Sequence, residues 1–309
     1  MMDWTDRHCR FFLRQVSSRA HLYTEMITTG ALIHGDVPRH LDFSQEEHPV
    51  ALQLGGSEPD DLAHCAKLGE QYGYDEVNLN IGCPSERVQR GAFGACLMAE
   101  PELVASCVSK IKENTGLPVT VKHRIGLDKV DDYSFVRDFV GAVSQAGCKT
   151  FIAHARNAVL KGLSPKENRE VPPLKYDYVY RLKQEFPGLT IVINGGITTR
   201  REIDEHLKKV DGVMLGRAAY HNPWLLADAG KTRAEVVAKM AAYARDAISA
   251  GFSLRNVTRH MLGLYHATPR ARIWRRMLSD AALLQRNDPA LLAQALDAVE
   301  SGGSMMMAA

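Results

Sequence analysis

The chain of 309 residues carries 38 Lys and Arg against 36 Asp and Glu, a formal charge of +2, and 45% of it is hydrophobic. That composition can bury a core and excludes global disorder. No apolar run approaches the roughly 18 residues of a membrane helix, and no signal-peptide pattern opens the chain. The six cysteines (Cys9, Cys65, Cys83, Cys96, Cys107, Cys148) form no CxxC pair and no zinc-ligand spacing. A soluble cytoplasmic protein with reduced thiols and no metal centre is expected.

Met1–Arg14 reads as a loop entering a helix, with no strand before it. A weak strand follows near His21–Glu25, then clear ones at Val50–Leu54, Val77–Ile81, Val119–His123, Thr150–His154, Thr190–Asn194 and Val213–Leu215. Between them, apolar residues at three- and four-residue spacing predict helices over Asp60–Tyr72, Pro101–Thr115, Tyr133–Ala146, Tyr176–Phe186 and Arg200–Val210. Strand starts recur about every 32 residues, the size of a βα unit, so the sheet is expected to be parallel. A seven-unit open sheet and a closed (β/α)8 TIM barrel both fit this count. Polar residues immediately after each strand, on one face, favour the barrel. Strand one of a closed barrel is then expected upstream of Met1.

After Pro223 only helical patterning remains, from Ala234 to Val299. The expected division is a barrel over residues 1–228 and a small all-helical domain over 229–309. Ser253–Arg286 holds seven arginines (255, 259, 270, 272, 275, 276, 286) against Asp280 alone. Such a run is either a solvated helix face or an RNA-phosphate surface. The imbalance, with Tyr265, Trp274, His260 and His266 interleaved, favours the second. Trp274 is expected to be core packing, while Arg272 and Arg275, three apart, share one face.

The strand ends offer Gln53, Asn78, Asn80, Lys122, Arg124, His154, Arg156 and Asn194. Singly, each is an ordinary satisfied polar group. Jointly, from five strands, they describe a polar ligand site. The segments Asn194-Gly195-Gly196-Ile197 and Leu215-Gly216-Arg217 follow the last two strands, where barrels often hold phosphate. Cys83 lies in Asn80-Ile81-Gly82-Cys83-Pro84. Pro84 cannot extend a ladder, so the chain must turn and leave the thiol at the strand ends. Beside Lys122 or Arg124 that thiol can donate or accept a proton; the alternative is an inert buried cysteine.

The segments MMDWTDRHCR, QLGG (53–56), VNLNIGCPSERVQRGAFGACLM (77–98), VKHRIG (121–126), HARNAVLKGLSPKENREVPPL (154–174), NGGI (194–197) and GRAAYHNPW (216–224) resemble the tRNA-dihydrouridine synthase family. The long HAR…GLSPKENR…PPL stretch is similar to the synthase A subgroup (DusA) in particular. The resemblance implies a flavin mononucleotide (FMN) barrel followed by a helical tRNA-binding domain. It implies reduction of uridine to 5,6-dihydrouridine in the tRNA D-loop, at roughly position 20 and its neighbour 20a, with NADPH as electron source. Carried over by position, Gln53, Lys122, His154, Asn194, Gly195, Gly196, Gly216 and Arg217 bind the flavin, and Cys83 is the proton donor. Met1 occupies the place of the family's Ala-Pro-Met methionine against the flavin ring. Asn80 lies beside the target uridine, with Arg124 and Arg156 as further substrate contacts. Lys161, Lys166, Arg169, Arg272 and Arg275 are the residues expected to hold tRNA. Hydride from flavin N5 to uracil C6 leaves C5 to be protonated, the role assigned to Cys83. The base must be flipped from its stack to reach a barrel-bound ring. No obligate protein partner and no membrane contact are expected. Competing readings are an FMN barrel acting on a free pyrimidine, as in dihydroorotate dehydrogenases, and a non-catalytic RNA-binding protein.

Overall fold

A computed structural model describes residues 1–130 and 132–300. The chain divides into two compact units. The first comprises Met1, Leu22–Phe43 and His48–Gly216; the second comprises Met2–His21, Ser44–Glu47 and the residues from Arg217 on.

Seven strands build the first unit: β1 (Leu22–Thr28), β2 (Val50–Gly55), β3 (Glu76–Ile81), β4 (Val119–Arg124), β5 (Thr150–His154), β6 (Thr190–Asn194) and β7 (Gly212–Met214). All neighbours pair in parallel and their order in the sheet is their order in the chain. A doubly wound sheet reverses its strand order at a switch point, whereas a (β/α) barrel does not. The sheet is accordingly a curled half-barrel of the TIM type, with β1 and β7 as its edges among the described residues. The weak strand foreseen at His21–Glu25 runs to Thr28, with a register shift between Tyr23 and Met26. The last strand lies one residue earlier than the sequence pattern placed it.

The crossover helices have the predicted causes. Pro59 opens the helix Pro59–Tyr72, with Asp60 and Asp61 in its first turn, where the helix dipole favours negative charge. Thr199 and Glu202 form a capping box on Arg200–Leu207, a device worth about 1 kcal/mol. The helix Pro59–Tyr72 buries Leu62, Ala63, Cys65 and Ala66, and β2 is buried along its whole length.

One feature of the interior departs from the apolar layers usual in such barrels. Successive inward positions of β3 are Glu76, Asn78 and Asn80, and those of β4 are Thr120, Lys122 and Arg124. Thr120 Oγ1 donates to Glu76 Oε1 at 2.6 Å, and Asn78 Nδ2 donates to Thr120 Oγ1 at 2.8 Å. Asn78, expected among the site groups, therefore sits one layer below them, wholly buried.

In the second unit the helix Arg7–Val16 buries Cys9, Phe11, Phe12, Leu13 and Val16. Its Arg10 forms a buried 2.6 Å ion pair with Glu47, which fastens the short 44–47 segment. The packing units thus differ from a single boundary after residue 228, because composition cannot reveal which core a distant N-terminal helix joins. Helices Arg233–Ser249, Leu254–Met261, Ala271–Ser279, Ala281–Gln285 and Ala290–Glu300 complete this unit. The apparently continuous pattern at 271–284 is interrupted at Asp280, whose carboxylate accepts from Leu283 N and starts a new helix. Trp274 is fully buried, as expected, and its Nε1 donates to Met261 O at 2.8 Å. Arg272 and Arg275 are exposed, and neither forms an ion pair among the described residues.

Candidate active site

The carboxyl ends of β2 to β6 carry Gln53, Asn80, Lys122, His154 and Asn194. Registers place Asn80 beside Lys122, and His154 between Arg124 and Asn194. Asn80 Nδ2 donates to Gln53 Oε1 at 2.8 Å, and Lys122 Nζ to Asn194 Oδ1 at 3.3 Å. Asn194 Nδ2 in turn donates to Met214 O at 2.8 Å. These side-chain bonds tie the end of β2 to that of β3, and the end of β4 to those of β6 and β7.

Beyond Asn194 the chain needs glycine. Gly195 and Gly196 have φ of +116° and +73°, a backbone region that L side chains rarely adopt. A Cβ on Gly195 would lie 2.6 Å from His154 Cδ2, and one on Gly196 would lie 2.6 Å from Leu174 Cδ1. Tyr176 Oη donates to Gly195 O at 2.8 Å and holds the turn. The two glycines therefore form a close backbone cradle against His154. Met1 belongs to this unit, with its sulfur 3.5 Å from where a Cβ on Gly216 would be. Arg217 opens the short helix Arg217–His221 and groups with the second unit.

Cys83 is half-exposed on the turn after β3. Asn80 Oδ1 accepts from Gly82 N at 3.2 Å and Cys83 N at 3.0 Å. Cys83 O accepts from Ala95 N at 3.0 Å, an approach possible because Gly94 has φ +79° and no Cβ to strike that oxygen. Cys83 Sγ lies 3.6 Å from Ser85 Oγ. Burial pushes Cys65 and Cys148 up to about 12 and Cys107 to about 11, and it raises Cys9 and Cys96 as well. Those five are poor nucleophiles and poor acids near neutrality.

The local field is cationic. Burial, reinforced by Arg124, lowers Lys122 to about 8. Burial also holds His154 well below its ordinary value, and the charges acting most on it are four cations, Arg124, Lys122, Arg156 and Arg169. His154 is therefore a neutral imidazole at pH 7, in a surrounding that attracts anions. Arg124, expected to face substrate, is instead buried, with its guanidinium on backbone carbonyls: Nε donates to Gly82 O, and Nη1 donates to Asn157 O and Asn168 O. Arg156 is half-buried and donates to Pro172 O. Lys161, Lys166 and Arg169 are exposed on the segment after β5. Sequence reasoning missed Ser85, Gln89, Asn168 and Tyr176. Gln89 and Tyr176 act through bonds to segments far away in sequence, for which no local pattern is a signal, whereas Ser85 caps the helix Glu86–Arg90 and Asn168 bonds within its own loop.

The profile of the family described as dihydrouridine synthase (Dus) matches residues 1–300. A tRNA-dihydrouridine(20/20a) synthase of Synechocystis sp. is 53% identical to the chain, covering 99% of it and 95% of the relative. One of Salmonella typhimurium is 56% identical over 97% of the chain and 93% of the relative. One of Shewanella oneidensis is also 56% identical, over 91% and 87%. Identity above one half, sustained across nine-tenths or more of the sequence, leads to one statement of kinship: the chain belongs to the dihydrouridine synthase family.

Proposed function

We propose that this protein reduces uridine to 5,6-dihydrouridine in tRNA, at positions 20 and 20a as the names of its relatives state. The observation that carries the reading is a half-exposed thiol on a backbone-locked turn whose charge is felt by Lys122 and Arg124 at the neighbouring strand end. The donor set fits flavin mononucleotide. The glycine cradle would be filled by any Cβ, its surroundings are cationic, and Gln53, Lys122, His154 and Asn194 offer hydrogen bonds suited to a polar ring edge. These residues, with Gly195, Gly196, Gly216 and Met1, would hold the cofactor. Bound there and reduced by NADPH, it would supply the hydride for uracil C6.

The chain's own residues do the rest. Cys83 Sγ holds the proton for C5 and delivers it as negative charge builds on the uracil, with Ser85 Oγ next to the sulfur as a route for its replacement. Asn80 orients the base while its other amide atom fixes the Cys83 turn. Lys122, a cation below about pH 8, stabilises negative charge beside the ring. Lys161, Lys166 and Arg169 hold tRNA phosphates in the first unit, and Arg272 and Arg275 do so in the second. No helix among the described residues is long and apolar enough to cross a membrane, and cytoplasmic tRNA is the substrate pool this reading requires.

The test is direct. Purified protein, supplied with NADPH and an unmodified tRNA transcript, should turn yellow to colourless on reduction and add two hydrogens to a uridine at 20 or 20a, mapped by mass spectrometry. Reduction of a free pyrimidine but not of tRNA would replace this reading by the free-base alternative.

A further inference from the structure

The two carbonyls that flank Cys83 are held by two side chains to which the mechanism above gives no part. Arg124 Nε donates to Gly82 O at 3.1 Å. Gln89 Nε2 donates to Pro84 O at 2.8 Å. Each of these side chains also reaches the segment after β5: Arg124 Nη1 bonds Asn168 O at 2.9 Å and Asn157 O at 3.3 Å, and Gln89 Nε2 bonds Leu160 O at 2.8 Å. The cysteine turn is thus stapled to the 157–168 segment on both sides of the thiol.

That segment is itself a unit. Asn168 is fully buried; its Nδ2 donates to Val159 O, Leu163 O and Ser164 O, and its Oδ1 accepts from Val159 N at 2.7 Å. A loop fastened internally by one side chain moves as a body. Its outer surface presents Lys161 and Lys166, and Arg169 follows. A guanidinium offers five N–H groups in a planar fork, which is what three separate carbonyls require; a lysine ammonium offers a single point.

We propose that Arg124 and Gln89 are positioning residues that couple the engagement of tRNA phosphate by the 157–169 segment to the placement of the Cys83 thiol. The proposal rests on the reading of the site as a tRNA uridine reductase. Displacement of a reacting group by about 1 Å costs up to about 10²-fold in rate, so a staple of this kind is kinetically consequential.

Gln89→Ala is the informative variant, since Gln89 is only half-buried; Arg124→Lys serves as the second. Two readouts are taken on the flavin-loaded full chain. The first is alkylation of Cys83 by iodoacetamide without tRNA, followed on its own peptide, and it should accelerate several-fold in Gln89→Ala. The second is a double-mutant cycle on kcat with Lys166→Ala. Gln89→Ala should lower kcat about ten- to hundredfold with KM for tRNA nearly unchanged. Lys166→Ala should lower kcat in the parent but add little once Gln89 is gone. Unchanged alkylation with intact turnover overturns the staple, and multiplicative effects in the cycle overturn the coupling. A parent chain that never reduces tRNA overturns the underlying reading instead, and is recognised by that absence whatever the alkylation result.

Discussion

Arg124 in the first unit and the pair Arg272 and Arg275 in the second use one side chain in opposite ways. Arg124 in the first is buried with three backbone carbonyls around its guanidinium, while Arg272 and Arg275 in the second stand exposed and form no ion pair among the described residues. A buried cation needs its donors satisfied, so it fixes whatever it touches. An exposed one keeps its water and its freedom until a polyanion replaces both. The difference separates residues that build geometry from residues that collect charge, and identical side chains gave no hint of it in the sequence.

The largest expected effect lies on the rigid side of that comparison. Cys83→Ala should lower tRNA reduction by about 10²–10⁴-fold, the range of a lost general acid, with flavin retention and NADPH oxidation in the absence of tRNA unchanged. Turnover within a few-fold of the parent would remove Cys83 from the chemistry.

Next comes the cradle. Gly195→Ala places a Cβ 2.6 Å from His154 Cδ2 on a φ of +116°, at a cost of about 1–3 kcal/mol measurable by denaturant unfolding. Gly188→Ala, with nothing within 4 Å of its Cβ, is the control and should stay within about 0.5 kcal/mol. Equal effects at the two positions would mean that the cradle is not constrained.

A pH titration sharpens the electrostatic contrast. Burial lowers Lys122 to about 8, so its charge is present below that pH and lost above it. Affinity for the anionic flavin should therefore fall as pH rises past about 8, by up to about tenfold per unit, and binding an anion moves the midpoint upward. Lys122→Met should flatten the profile. A parent protein whose flavin affinity does not change between pH 7 and pH 10 would show that this ammonium is not used.

The smallest effect belongs to the solvated side. Ala at both Arg272 and Arg275 should leave folding stability within about 0.5 kcal/mol. It should flatten the salt dependence of tRNA binding by roughly 0.7–0.9 in log–log slope per lost phosphate contact. An unchanged slope would return the helix Ala271–Ser279 to the status of a solvated face.

Much of this organisation was legible because it is local. Val119–Arg124 and Thr190–Asn194 announce buried parallel strands by their β-branched runs, and their final residues point where barrel ligands bind. The paired glycines are legible for the same reason, since one strained turn is written in two adjacent letters. The rest depends on contacts that no window spans. Gln89 meets Leu160 across 71 residues and Arg124 meets Asn168 across 44, and neither pairing leaves a periodic trace. The destination of helix Arg7–Val16 is likewise decided by apolar partners far along the chain.

The hydrogen-bonded ladder of Glu76, Thr120 and Asn78 in the barrel interior has a consequence for how the strands find one another. Side chains alternate with period two, so a one-residue slip of β3 would turn Glu76 and Asn78, and Asn80 with them, onto the helix-covered face. Apolar strands buried on both faces tolerate such a slip, because either face can be filled by Val, Ile or Leu. Here the slip would strand Glu76, Asn78 and Thr120 without partners, at about 1–3 kcal/mol for each unsatisfied buried group. The ladder therefore works as a key for pairing: it penalises every near-native arrangement in which the thiol turn after β3 would emerge on the wrong side of the sheet.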